Sequence, residues 1–252
     1  MPNMPILKTE NLTVQFGNQI ILKNISFALN KGEIVGVIGP NGCGKTTLLN
    51  AISGFNKHSS GEIFVDGEDI SDMKAYVRAQ KYIGRSFQTV GVFKDMTLEE
   101  NLMMAIEREH KYPWYWMFSG HYKKSMDQII NHALNELDLH HHKKSLAGIL
   151  SGGQLRLLEL ARLKLMKKPI LLIDEPTAGV APILRQNLGK SISELASHHG
   201  HTVVIVEHDL KFLFDIVDRV IVIVDGEIYM DGKPEDIKKD SRLQDVYFGR
   251  QS

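Results

Sequence analysis

The sequence predicts an α/β fold. It combines a core with a mainly parallel sheet, an N-terminal antiparallel β subdomain and an inserted α-helical subdomain. Three observations carry this prediction. Short aliphatic runs ("EIVGVIG", "ILLID", "TVVIVE", "RVIVIVDG") have the length and continuity of strands buried on both faces. After Pro169, helical patterns separate these runs, and strands that alternate with helices form parallel sheets. From about Thr97 to Lys168 the apolar residues recur three and four apart, which is a helical period.

The elements follow in order. "LKTENLTVQFG" alternates apolar and polar residues, and "IILKNISFALN" follows a Gly-Asn turn. "EIVGVIG" comes next, then a helix from near Lys45 to Gly54, then the strands "GEIFVDG" and "YIGRSFQ". "TLEENLMMAIERE" and "SMDQIINHALNELDL" read as helices, with the aromatic loop "YPWYWMFSGHY" (Tyr112–Tyr122) between them. "SGGQLRLLELARLKLMKK" is a helix with Ser151 as N-cap, lysines in its last turn and Pro169 beyond. The remainder alternates strand "ILLID", a helix from about Ile183 to His198, strand "TVVIVE", helix "LKFLFDIV" and strand "RVIVIVDG". The charged run "KPEDIKKDSR" reads as a solvated helix. The expectation is one domain, 1–252, with its core in 1–95 and 169–252 and the helical subdomain at about 96–168.

Composition narrows the function. At 43% hydrophobic and 24% charged, the chain is ordinary for a globular protein. Lysine plus arginine equals aspartate plus glutamate at 30 each, which argues against nucleic-acid binding through a strong basic field. One cysteine, Cys43, excludes an internal disulfide and suits a reducing compartment. No apolar run approaches the roughly 18 residues of a membrane span. The opening "MPNMPILKTE" lacks a basic segment followed by an apolar one, so no signal peptide is expected. Work at a membrane therefore requires another chain to supply the span.

The stretch Gly39, Pro40, Asn41, Gly42, Cys43, Gly44, Lys45, Thr46, Thr47 matches the P-loop pattern in full. Its glycines let backbone N–H groups converge on phosphate oxygens, and the following helix points its positive end at the same place. Lys45 neutralises the outer phosphates and the Thr46 hydroxyl reaches magnesium. Asp174 ends the strand "ILLID", where it can hold magnesium through water. Glu175 follows, where a general base for an attacking water belongs. Two acids at a strand end favour hydrolysis over transfer to an acceptor substrate.

With "LSGGQ" at 150–154, the chain resembles the ATP-binding subunit of ATP-binding-cassette (ABC) transporters, over residues 6 to 249. Five motifs stand in family order: the P-loop, Gln88 in "SFQ", "LSGGQ", "ILLIDE" and His208 in "VEHD". The resemblance implies ATP and Mg²⁺ as cofactors and a role for each residue. Phe16 stacks on adenine. Gln88 completes the magnesium shell beside Thr46 and Asp174 and senses the γ-phosphate. His208 contacts the γ-phosphate and helps place the attacking water. Ser151, Gly152, Gly153 and Gln154 form a second anion receptor that faces the γ-phosphate held by another chain. Two chains, identical or paralogous, then enclose two ATP molecules head to tail. Integral-membrane permease subunits, and through them a solute-binding protein, complete the machine at the cytoplasmic face of the membrane.

"GRSFQTVGVFKDMTLEENLMMA", "TAGVAP" and "DVYFG" are similar to importers of branched-chain amino acids and of urea or amides. In that subgroup, a short helix of the membrane subunit docks in a groove beside Gln88. The aromatic loop either flanks that contact or packs on the helical subdomain. The alternatives are a lipid or lipopolysaccharide extractor and a soluble ABC-type scaffold ATPase. The sequence departs from the family pattern at Ala181, where many members carry an aspartate, and at Cys43, where serine is commoner. A helix N-terminus can lower a thiol pKa, so Cys43 is expected to react with thiol reagents that block nucleotide binding. The chain stops at 252, too soon for an appended regulatory domain. His140–His142 read as a solvated helix end rather than a metal site, as does the cluster His198, His199 and His201. Met103, Met104, Met117 and Met126 read as packing in the helical part.

Overall fold

The computed structural model of the chain describes residues 4–87, 89–107, 120–197 and 200–248. Two sheets sandwich one helix. The smaller has the order β2-β1-β4-β5 and is antiparallel throughout, from β1 (Leu7–Phe16), β2 (Gln19–Leu29), β4 (Ser60–Val65) and β5 (Glu68–Asp69). The larger has the order β10-β9-β3-β8-β7-β6. It is built from β3 (Ile34–Ile38), β6 (Ile83–Arg85), β7 (Ile170–Asp174), β8 (Thr202–Val206), β9 (Arg219–Val224) and β10 (Glu227–Gly232). Every pairing in it is parallel except the last, where β10 runs antiparallel to β9.

Period-two alternation in β3 explains the layering. Val35 and Val37 face one side with Leu48, Leu49 and Ile52 of α1 (Lys45–Ser53) and the inner face of the small sheet. Ile34 and Ile38 face the other side. There, α5 (Gly152–Leu165), α6 (Pro182–Ser197) and α7 (Leu210–Phe214) cover the sheet with Leu157, Leu160, Leu188, Ile192 and Leu213. Gly36 lets Leu213 lie against the strand, since a Cβ would stand 2.8 Å from its Cδ2.

A third cluster lies in the helical part. Leu98 and Leu102 of α3 (Leu98–Glu107) and Ile130 and Leu134 of α4 (Gly120–Glu136) meet Leu155 and Leu158 of α5. α3 starts with a Thr97–Glu100 capping box: Thr97 N–H donates to Glu100 Oε2 at 2.7 Å, and Glu100 N–H to Thr97 Oγ1 at 3.2 Å. Buried Asn101 pins the preceding loop by accepting from Phe93 N–H and donating to the Phe93 carbonyl, both at 2.9 Å.

Several sequence expectations need adjustment. The last residues of the aromatic loop, 120–122, already belong to α4, and 112–119 lie outside the described residues. α7 ends at Phe214, so "LKFLFDIV" is helical only in its first five residues. "KPEDIKKDSR" breaks at Asp240 into α8 (Pro234–Lys239) and α9 (Ser241–Phe248), and buried Ile237 anchors α8. β5, β10 and α2 (Ala75–Lys81) were not expected. Met126 is buried and Met103 packs against the same cluster, but Met104 is exposed, and Met117 lies outside the described residues. His201 is buried, and its Nδ1 lies 2.6 Å from the Lys168 carbonyl; its expected companions His198 and His199 are not described. His140–His142 form an exposed 3₁₀ turn. Among the described residues no group of three or more His, Cys, Asp or Glu side chains is placed to hold a metal ion, and no helix is long and apolar enough to cross a membrane.

Candidate nucleotide site

All five residues of β3 are buried, so the chain leaves the sheet at Gly39 in a fixed direction. A Cβ on Gly39 would collide with the Ile223 carbonyl, and one on Gly44 would stand 2.5 Å from Leu22 Cδ2. Both residues carry positive φ, 150° and 106°. Glycine is therefore required at both for the loop to curl between β9 and β2. α1 begins at Lys45, and its N-cap, Gly44, has no side chain to occupy the first-turn N–H groups. Those donors, with the helix dipole, form an anion receptor. Lys45 is buried, and its Nζ donates to the Gly39 and Pro40 carbonyls, each at 2.8 Å.

A cleft of about 380 Å³ borders this loop. Phe16 and Ile21 line it from β1 and β2, Asn41, Gly42 and Gly44–Thr47 from the loop and α1, and Glu175 and His208 from the ends of β7 and β8. Phe16 is 50% exposed, which sets it apart from the core phenylalanines. Gly39, Pro40 and Cys43 are not part of the lining. Cys43 in particular corrects an expectation. Its side chain is buried, and desolvation raises the thiol pKa, outweighing the lowering by the Lys45 charge. The helix N-terminus does not produce a reactive thiolate there.

Asp174 closes β7, and its side chain is buried. Burial pushes its pKa up, while Arg85, with Nη2 at 4.0 Å, and the Thr46 hydroxyl pull it down. Its Oδ1 has no hydrogen-bond partner. A buried, orphaned carboxylate oxygen beside a threonine hydroxyl is a donor set that suits a hard divalent cation. Gln88, the third expected ligand, lies outside the described residues.

Glu175 takes a left-handed backbone conformation (φ 47°) while its N–H still donates to the Val206 carbonyl at 2.8 Å. The turn brings its Oε1 to 2.9 Å from His208 Nε2. Behind the pair, buried Glu207 accepts from the N–H groups of Thr177 (2.8 Å), His208 (2.7 Å) and Asp209 (3.1 Å). It therefore ties the loop after β7 to the loop after β8. Sequence reasoning quoted Glu207 only as part of "VEHD"; the signal was an acid at the end of a buried strand.

Ser151 caps α5 in a full capping box. Gln154 N–H donates to Ser151 Oγ at 3.4 Å, and Ser151 N–H to Gln154 Oε1 at 3.0 Å. Gly152 and Gly153, the first two residues of the helix, have no intrahelical acceptor for their N–H groups. A Cβ on Gly153 would stand 2.7 Å from Leu184 Cδ1, so glycine lets this turn pack on the start of α6. None of Ser151–Gln154 lines the cleft that holds Lys45. One chain thus carries two separate glycine-led helix starts, only one of which borders this cleft.

Further along α5, Arg156 and Glu159 form a buried ion pair at 2.7 Å. Arg156 also donates to the carbonyls of Phe87 (2.7 Å) and Glu175 (3.4 Å), and Glu159 accepts from Gly91 N–H at 2.8 Å. The pair therefore fixes both sides of the segment that carries Gln88. Sequence reasoning missed it; charged residues three apart inside an otherwise apolar helix were the available sign. The same segment borders a groove of about 590 Å³ lined by Phe55, Tyr76, Arg85, Phe87 and Glu159 among others.

Comparisons with known proteins agree on one family. Residues 22–178 match the family described as ABC transporter. The chain is 35% identical to the high-affinity branched-chain amino acid transport ATP-binding protein BraF of Pseudomonas aeruginosa, covering 97% of this chain and 98% of that one. It superimposes on the ADP conformation of an ATP-binding cassette of an ABC transporter with a TM-score of 0.82 and 33% identity, covering 98% of this chain and 100% of that one. A dimeric post-hydrolysis cassette bound to ADP and Pi superimposes with a TM-score of 0.78 and 27% identity, covering 90% of this chain and 98% of that one.

Proposed function

The chain belongs to the ABC transporter family of ATP-binding proteins, and from that premise we propose that it hydrolyses ATP to power uptake of branched-chain amino acids through separate membrane subunits. One observation carries the mechanism: the phosphate loop and the Glu175–His208 pair line the same cleft.

ATP enters with its adenine on the exposed Phe16 ring and its phosphates on the N–H groups at the start of α1. The Lys45 ammonium exchanges its two carbonyl partners for phosphate oxygens. Thr46, Asp174 and Gln88 would hold Mg²⁺, which would neutralise charge on the outer phosphates. Glu175 accepts a proton from water as the water oxygen bonds to the γ-phosphorus and the bond to the β–γ bridging oxygen breaks, giving ADP and phosphate. His208 holds Glu175 in place and faces the γ-phosphate. The second receptor, Ser151–Gln154, clamps the γ-phosphate in a partner chain's cleft, so ATP joins two chains and its hydrolysis releases them.

The groove beside Phe87 takes a short helix of the permease. Its aromatic walls and the buried Arg156–Glu159 pair behind it connect that contact to the Gln88 segment. The chain is thereby held at the cytoplasmic face of the membrane, and a solute-binding protein acts through the permease. Purification of the chain from native membranes, with identification of the bound chains, tests this. Permease subunits together with loss of labelled leucine uptake on deletion of the chain support the assignment. Undiminished uptake overturns it.

A further inference from the structure

The C-terminal helix α9 reaches the phosphate loop. Gly39 N–H donates to the Tyr247 hydroxyl at 2.9 Å, across 208 positions of sequence. The carbonyl of the same glycine accepts from Lys45 Nζ at 2.8 Å. Gly39 is therefore held on its N–H by the end of the chain and on its C=O by the lysine of the loop. The side where a Cβ would stand is closed by the Ile223 carbonyl and by Cys43 Sγ at 2.7 Å. The parallel ladder between β3 and β9 ends at Ile38. The next N–H, that of Gly39, would lack an acceptor at a tightly enclosed position, and such groups need a partner. Tyr247 supplies it. Its ring packs against the cluster formed by α5, α6 and the large sheet, which fixes where the hydroxyl sits. Burial raises the pKa of this phenol, so the hydroxyl keeps its proton.

We infer that Tyr247 is a positioning residue of the nucleotide site, holding Gly39 so that the loop keeps its curl when Lys45 turns from the Gly39 and Pro40 carbonyls to a phosphate. The inference rests on the nucleotide reading above and goes beyond it, because Tyr247 neither lines the cleft nor touches Glu175 or His208. At the moment of binding the loop loses the lysine's hold on Gly39. Without Tyr247 it would lose both holds, and the ordering cost would fall on nucleotide binding. The chemical step, set by Glu175 and His208, would be unaffected.

Tyr247→Phe keeps the ring and removes only the acceptor. Affinity is read by equilibrium titration with a fluorescent ATP analogue, and turnover and melting temperature are read on the same preparations. The expected result is a Kd about five-fold higher, the size of one lost hydrogen bond. KM rises by the same factor with kcat unchanged, and the melting temperature falls by only about 2–4 °C, the effect of one lost hydrogen bond. An unchanged Kd overturns the inference, and a lower melting temperature with unchanged Kd does so by showing a purely structural role. If the variant does not fold, hydrogen exchange in the unaltered protein decides. The Gly39 amide should exchange about a hundred-fold more slowly than the exposed Asn41 amide, and equal rates overturn the inference. Failure of the unaltered chain to bind the analogue would reject the nucleotide reading itself, and this inference with it.

Discussion

The Glu175 carboxylate and the His208 imidazole meet at 2.9 Å although 33 positions separate them in the chain. The Glu207 carboxylate, accepting from the backbone N–H groups of Thr177, His208 and Asp209, holds the two loops that present them. The contact gives Glu175 a partner that orients it while leaving a quarter of its side chain exposed to the cleft. A carboxylate so placed can take a proton from water; an amide cannot. Glu175→Gln should therefore bind ATP with near-parental affinity and lose turnover by a factor of about 10²–10⁴. ATP-bound protein should then elute as a dimer on gel filtration. Retention of more than a tenth of parental turnover would remove Glu175 from the role of base.

The parts of the site that the sequence discloses are those made by neighbours in sequence. A buried strand, a glycine loop and a helix start lie within Ile34–Ser53, and their consequence, a helix that begins at Lys45 with no side-chain cap, follows from local geometry alone. Ser151 and Gln154 are equally local: the serine expected as N-cap does cap α5, and Gln154 completes a capping box with it. Contacts that depend on two loops meeting were not legible: Glu207 with Thr177, Arg156 with Phe87, and Tyr247 with Gly39. Cys43 failed for another reason. Sequence places it next to a helix N-terminus, but loop torsions decide whether its sulfur faces solvent, and they turn it inward against Gly39. The β9–β10 hairpin was available in "VDGEIYMDG", where Asp225-Gly226 is a two-residue turn with both φ positive.

Burial of Cys43 reverses the expectation for thiol reagents. A thiol whose pKa is raised by desolvation, and whose sulfur is enclosed, reacts only when the loop opens. Labelling with a disulfide reagent at pH 8 should be at least about ten-fold slower than for the urea-unfolded chain. Rapid stoichiometric labelling of the folded protein would show that the loop opens freely.

His201 ties stability to pH. It is buried beside the Lys168 carbonyl, and desolvation lowers its pKa in the folded protein. The unfolded chain therefore binds the proton more readily. The neutral imidazole contributes stability that is fully present above the unfolded value of about 6.5 and is lost as pH falls below it. Denaturant midpoints should drop between pH 7 and pH 5, and His201→Gln should flatten that drop. An equal slope in both proteins would assign the pH dependence to other groups.

The separation of Ser151 from the cleft of its own chain allows a test in which two inactive proteins restore each other. Ser151→Arg places a bulky cation at the start of α5, outside the lining of the cleft that holds Lys45, so the single chain should still bind ATP. Its homodimer should be inactive, because each cleft meets a spoiled partner turn. The Glu175→Gln homodimer should be inactive because each cleft lacks its base. In a mixed dimer, one cleft has the intact Glu175 of the Ser151→Arg chain and the intact Ser151 turn of the other chain. The second cleft carries both defects. With random pairing half the dimers are mixed and each has one working site of two, so an equimolar mixture should recover about a quarter of parental turnover. Recovery requires that each site be built from two chains. Full activity of the Ser151→Arg protein alone, or no recovery on mixing despite demonstrated subunit exchange, would place the whole hydrolytic site within one chain.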